Sequence, residues 1–288
     1  MKSSLRETER PRAGETPASG AAPLVPEGLD AVLVLLRHGE TQFIVERRFQ
    51  GQMEAPLTRL GLRQAELAGI RLAAPHSPPP IPIPDTSPFA IVHSPLSRAA
   101  DTAVKVAAAM TAAGRSTLPL RPDAGFLEIG QGEWEGLLDE EIERRFGDSL
   151  AAWRRWPTRV NAPGGESLVE VRTRVERSLR GLLAEMADGA PRGTIDRHQV
   201  LGYADTLPGR PRWSLVVGHG GVFRVVVCAL LGLPAEHFWN FDFGLASITV
   251  IEIRAGRAVL RALNLDEHLG SEAAATEAAQ ERDASGAI

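Results

Sequence analysis

The first patterned feature of the chain is an unbroken apolar run, Ala31-Val32-Leu33-Val34-Leu35-Leu36. So short a run, without alternation, predicts a strand buried on both faces, as in a parallel sheet. Phe89-Ala90-Ile91-Val92-His93 and Trp213-Ser214-Leu215-Val216-Val217 predict two more strands of this kind. Elsewhere the period lengthens. Leu60, Leu62, Ala65, Leu67, Ala68 and Leu72 recur at loosely helical spacing and predict a helix over 58–73. An Ala- and Val-rich stretch predicts another over 96–113. Leu168, Val171, Val175, Leu179, Leu182, Leu183 and Met186 mark one face of a long helix, opened by the capping-box form Ser167-x-x-Glu170. Residues 220–232 predict a further helix, and Ser247–Ile253 and Arg257–Leu263 a strand pair across Ala255-Gly256. Strand and helix alternate, which predicts an α/β fold: a three-layer sandwich with a mostly parallel central sheet and helices on both faces.

Five stretches depart from that rhythm. Residues 1–28 are rich in Pro, Ser, Glu and Arg and predict a disordered leader. Residues 75–88 hold seven prolines and predict an exposed, PPII-like linker. Residues 137–166, bearing Trp153 and Trp156, predict cap-like helices. Residues 189–212 predict a polar surface insertion. Residues 271–288, with Glu272, Glu277, Glu281 and Asp283 against Arg282, predict a disordered acidic tail. The folded domain is thereby expected over 29–270, a size that suits one large domain.

Composition narrows the function. The 288 residues are 43% hydrophobic and 24% charged, ordinary for a globular protein. No apolar run approaches the ~18 residues a spanning helix needs, so no membrane partner is expected. The net charge of −4 leaves no basic surplus to hold nucleic acid. Lys2 and Lys105 are the only lysines, so any bound anion meets arginine, whose planar fork suits phosphate. The single cysteine, Cys228, lies in an apolar run and reads as a buried hydrophobe. A chain with no disulfide pair and no secretory leader is expected in the cytoplasm.

In open α/β sheets, ligands bind beyond the carboxyl ends of the strands. The first strand runs into Arg37-His38-Gly39-Glu40-Thr41, the second into His93-Ser94-Pro95-Leu96-Ser97-Arg98, the third into Gly218-His219-Gly220-Gly221. Two imidazoles and two guanidinium groups around one point suit a phosphoryl group. A neutral imidazole nitrogen is also a competent nucleophile when its other N–H is held by a carbonyl. His76, His93, His198, His237 and His268 form no metal-binding motif, so no metal is expected.

The same residues carry a resemblance. Leu36-Arg37-His38-Gly39-Glu40-Thr41 resembles the signature of the histidine phosphatase superfamily, the phosphoglycerate-mutase-like fold. The similarity continues in order through Arg48-Phe49-Gln50-Gly51, Pro56-Leu57-Thr58 and Ser94-Pro95-Leu96-Ser97-Arg98-Ala99. It goes on through Glu128 to Gly136, Pro163 to Ser167, Val217 to Gly221, and Leu263-Asn264…His268-Leu269. The resemblance implies that His38 attacks phosphorus and that Arg37, Arg98 and His219 hold the phosphoryl oxygens, with Gln50 and Gly51 beside the substrate. It implies that Glu128 protonates the leaving oxygen and then activates water, which asks for a carboxyl group that can hold a proton near neutrality. Glu133 and Glu135 compete for that role; the spacing of Glu128 to Gly132 favours Glu128. The implied activity is metal-independent hydrolysis of a small phosphorylated metabolite through a phosphohistidine, by a monomer or homodimer without cofactor.

Two points qualify the likeness. Mutase-type members typically follow the acid with Arg-His-Tyr-Gly; here Ile129-Gly130-Gln131-Gly132 follows, and Glu133-Trp134-Glu135-Gly136 resembles the phosphatase branch. Phosphoryl transfer of the mutase type and an inactive phosphate-binding module are the alternatives. Three residues after Thr41 the superfamily usually has Asn, where this chain has Ile44. Either Gln50 compensates or the pocket is more apolar on that side. Phosphorylated sugars, glycerate derivatives, nucleoside monophosphates and α-ribazole phosphate all stay open as substrates.

Overall fold

A computed structural model describes residues 23–116, 119–190 and 211–284. Most of the 1–28 leader, and the 189–212 insertion from 191 to 210, lie outside the described residues.

Six strands form one sheet: β1 (Ala31–Arg37), β2 (Ala90–His93), β3 (Leu120–Pro122), β4 (Arg212–Gly218), β5 (Ile248–Arg254) and β6 (Arg257–Leu265). Their order is β3-β2-β4-β1-β5-β6. The pairs β1/β4, β2/β4 and β2/β3 are parallel, while β5 pairs antiparallel with both β1 and β6. The expected fold class therefore holds. The apolar run of β1 faces two ways: Leu33 and Leu35 enter one core, Val32, Val34 and Leu36 the other. Such period-2 division explains why the run shows no alternation.

Helices cover both faces. On one, α2 (Arg59–Ala73) and α3 (Ser97–Ala112) bury Ala68, Leu72, Ala99, Ala103, Val106 and Met110. On the other, α5 (Leu168–Ala187) and α6 (Gly220–Leu230) bury their apolar faces together with α4 (Asp139–Arg155). Ser167 and Glu170 close the expected capping box at the start of α5. A four-residue helix, α1 (Gln42–Val45), and a final helix, α7 (Ala273–Ala284), complete the set among the described residues. No helix of the described residues is long and apolar enough to cross a membrane.

Three expectations need correcting. The 75–88 segment is exposed over 76–80, as expected, but it is no free linker: Ile81 and Ile83 are buried in the core under α2 and α3. Arg71 and Arg115 pin it by bonds to Ala73, Ala74, Pro75, Pro79 and Asp85. The 271–288 tail is not disordered where it is described, since 273–284 form α7. Thr276 and Ala279 of α7 are buried, and Ala279 packs with Ile44 and Leu245. The docked face is built of small side chains, which let two helices approach closely but give little hydrophobic contrast. The third concerns the domain's edge. Leu24 and Val25, counted in the leader, pack against the main core, so the fold begins before residue 29.

The 137–166 stretch holds one helix, α4, with a kink at Phe146. Trp153 is buried in an aromatic group with Trp134, Phe238 and Trp239, which supports packing rather than ligand recognition; Trp156 is exposed.

Candidate active site

The carboxyl ends of β1, β2 and β4 lie side by side, in register Arg37 with Gly218 and His93 with Val217. Each strand ends by delivering its polar residue into the same space. His38 and His219 meet edge to face, their ring centroids 5.1 Å apart. Both are almost fully buried.

Their hydrogen bonds assign the ring nitrogens. His38 Nδ1 lies 2.7 Å from the Gly39 carbonyl, which can only accept, so Nδ1 carries the proton and Nε2 keeps a lone pair. His219 Nδ1 lies 3.2 Å from Arg98 Nε, which can only donate; His219 Nε2–H therefore faces Ser94 Oγ at 2.8 Å. Both imidazoles are neutral. Burial, then the charges of Arg98 and Arg37, hold His38 well below its ordinary 6.5; burial and Arg98 do the same to His219.

Arg98 sits in the first turn of α3, against the helix dipole. Nη1 donates to Met53 O at 2.9 Å and Nη2 to Gly51 O at 2.6 Å. With the bond to His219, three of its five N–H donors are engaged. Burial lowers its pKa to about 10, so it stays cationic at neutral pH. Arg37 donates from Nη1 to Phe243 O at 2.7 Å, and a Cβ on Gly220 would lie 3.4 Å from its Nε. Arg37 thus lies along the start of α6, beside His219. Close backbone contact is needed here too: a Cβ on Gly39 would collide with Gly61 at the start of α2.

Glu128 is buried, and its carboxylate closes the same end of α6. Oε2 accepts from Gly221 N at 3.1 Å, and Oε1 from Val222 N and Ile129 N at 2.9 Å each. The two other acids of this stretch stand elsewhere. Glu133 is exposed, and Glu135 Oε1 takes the amides of Gln52 and Gln131.

Gln50 and Gly51 stand behind the arginine and the first loop. Gln50 Oε1 accepts from Thr41 Oγ1 at 2.8 Å. Gly51, at φ 48°, turns its carbonyl to Arg98, and a Cβ there would strike the Glu135 carboxylate. Ile44 is buried with Leu245, Ala279 and Leu60, which makes that flank of the first loop apolar.

Several supporting residues have no role assigned from the sequence. Ser94 holds His219, and Thr102 Oγ1 accepts the Gly39 N–H at 3.3 Å. Arg174 ties down the loop of Glu128, reaching the carbonyls of Gly125, Leu127 and Glu128. Glu166 pairs with Arg174 at 2.9 Å and also accepts Gly130 N. Ser94 directly follows β2 and so is visible at a strand end, without its role; Arg174 lies mid-helix among surface arginines and carries no local signal. Among the described residues, no group of three His, Cys, Asp or Glu side chains is arranged to hold a metal ion.

Known proteins resemble this chain in sequence and in fold. A family model of the histidine phosphatase superfamily, branch 1, matches residues 33–191 and 198–266. Phosphoserine phosphatase 1 of Hydrogenobacter thermophilus is 31% identical over 238 residues, 83% of this chain and 94% of that protein. Glucosyl-3-phosphoglycerate phosphatase of Mycobacterium tuberculosis is 36% identical over 207 residues, 72% of this chain and 78% of that protein. The solved structure of a mycobacterial glucosyl-3-phosphoglycerate phosphatase with VO3 superposes with a TM-score of 0.62 at 32% identity, covering 81% of this chain and 98% of that one.

Proposed function

This chain belongs to the histidine phosphatase superfamily, branch 1, and from that premise we propose that it is a metal-independent phosphomonoester hydrolase working through a phosphohistidine. The observation that carries the reading is the pairing of a neutral His38, whose Nε2 lone pair is left for attack, with His219 and two buried guanidinium groups.

The steps follow from these groups. His38 Nε2 attacks phosphorus while the bond from phosphorus to the leaving oxygen breaks. Arg37, Arg98 and His219 stabilise the charge on the equatorial oxygens. Glu128, a carboxylate held by three amides in the free protein, relays to the leaving oxygen the proton that the ester monoanion brings, then takes one from the water that attacks the phosphohistidine and frees Nε2. Gln50 and Gly51 support this cradle through Thr41 and Arg98. The substrate is a small phosphorylated metabolite; the names of the relatives make phosphoserine and glucosyl-3-phosphoglycerate the first members of a panel ranked by kcat/KM. Every group of the cradle comes from one chain, so a monomer suffices and a homodimer would carry two independent sites. A cytoplasmic place suits a lone, buried thiol.

The test is hydrolysis of p-nitrophenyl phosphate with and without His38→Ala. The variant is expected to lose at least about a thousandfold in kcat, as when a nucleophile is removed. Activity that survives it overturns the mechanism. Rapid isomerisation of 3-phosphoglycerate with negligible orthophosphate release would favour the mutase instead.

A further inference from the structure

Asn264 and His268 lie in the terminal stretch that shares the superfamily's pattern, yet neither takes part in the chemistry above. Their contacts converge on one loop, 243–247. Asn264 Oδ1 accepts the Gly244 N–H at 2.5 Å, and the Asn264 N–H is itself held by Thr249 Oγ1 at 3.0 Å. His268 Nε2 lies 3.1 Å from the Ala246 carbonyl; a carbonyl only accepts, so Nε2 donates. Leu245, between the two, is buried against Ile44 and Ala279 of α7. The loop is therefore gripped from outside at three successive residues.

Its inner side grips the cradle. The Phe243 carbonyl takes Arg37 Nη1 at 2.7 Å. The Ser247 carbonyl takes the Arg37 N–H at 3.2 Å, and the Ala246 N–H donates to the His38 carbonyl at 3.2 Å. Ala246 sits at φ 53°, a left-handed conformation that an alanine keeps only when its surroundings impose it. A long arginine side chain is useful to a phosphoryl group only if its fork is already aimed, and the carbonyl that aims Arg37 belongs to this loop.

We propose that Asn264 and His268 are positioning residues for phosphoryl transfer: by clamping the 243–247 loop they fix the Arg37 guanidinium in the geometry the reaction needs. The inference rests on the phosphatase reading of the same site. It departs from a merely structural role in one respect: the clamp must be felt as affinity for a phosphoryl-like anion.

The experiment uses the full chain and orthovanadate as probe, alongside hydrolysis of p-nitrophenyl phosphate. Asn264→Leu and His268→Ala each remove one bond to the loop and are expected to weaken vanadate binding and lower kcat about tenfold. Asn264→Asp keeps the Oδ1 acceptor, and His268→Gln keeps an N–H donor, so each should recover most of the loss. In an Arg37→Ala background, Asn264→Leu should cost little further vanadate affinity, because the group it aims is gone. Wild-type vanadate affinity and kcat in Asn264→Leu and His268→Ala overturn the proposal, as does a loss fully additive with Arg37→Ala. Should Asn264→Leu fail to fold, the His268 pair decides on the same criteria. A wild-type protein that neither binds vanadate nor hydrolyses a phosphomonoester overturns instead the phosphatase reading itself.

Discussion

Arg98 shows how much of this site depends on the geometry of single side chains. Its three nitrogens reach His219, Met53 and Gly51 at once, which an ammonium on a flexible stem cannot do. Arg98→Lys keeps the charge and loses the fork. Steady-state kinetics should show kcat/KM reduced about a hundredfold, the order expected from misplacing a reacting group by an ångström. His268 leads to a prediction about acid. Burial pushes its pKa down from 6.5 to about 4, so the unfolded chain takes up a proton before the folded one does. Its contribution is complete above pH 6.5 and is lost as pH falls toward 4, by up to about 3 kcal/mol. Urea midpoints measured from pH 7 to pH 4 should fall, and should fall less in His268→Gln. His38 and His219 are depressed in the same direction and leave that variant a residual slope.

The elements differ in how plainly they can be read from the chain. β1 and β4 are visible because strands buried on two faces must be apolar throughout. β3 is three residues long at the sheet edge, Leu120-Arg121-Pro122, and has no such signature. Ile81 and Ile83 alternate with prolines, a pattern that composition hides: the prolines suggest exposure, while the two isoleucines between them decide burial. α7 is the hardest case, since its fully buried residues, among those described, are only Thr276 and Ala279. Ala279 touches Ile44 and Leu245 and has no exposed surface. Ala279→Glu buries a charge beside them or forces the helix off. Chemical denaturation should report a loss of about 2 kcal/mol.

For the molecule as a whole, the strand order does the assembling. Placing β4 between β1 and β2 brings His38, His219 and Ser94 together from positions far apart in sequence. His38, His219 and both arginines are therefore legible as residues at or after the ends of buried strands. The loop 243–247 was not, because it acts through backbone carbonyls and amides that any sequence possesses. A site whose positive charge comes from guanidinium groups should keep its rate of p-nitrophenyl phosphate hydrolysis in excess EDTA, and a loss there would mean that an ion takes part.

His38, His219, Arg37 and Arg98 are tied to the protein before any ester arrives. Such preorganisation cannot distinguish an arriving phosphoryl group from a departing one. The oxygens of liberated orthophosphate meet the same donors, with no leaving group left to crowd them. On the proposed mechanism, added orthophosphate is therefore expected to slow hydrolysis by competing with the ester, which steady-state rates at rising phosphate would check.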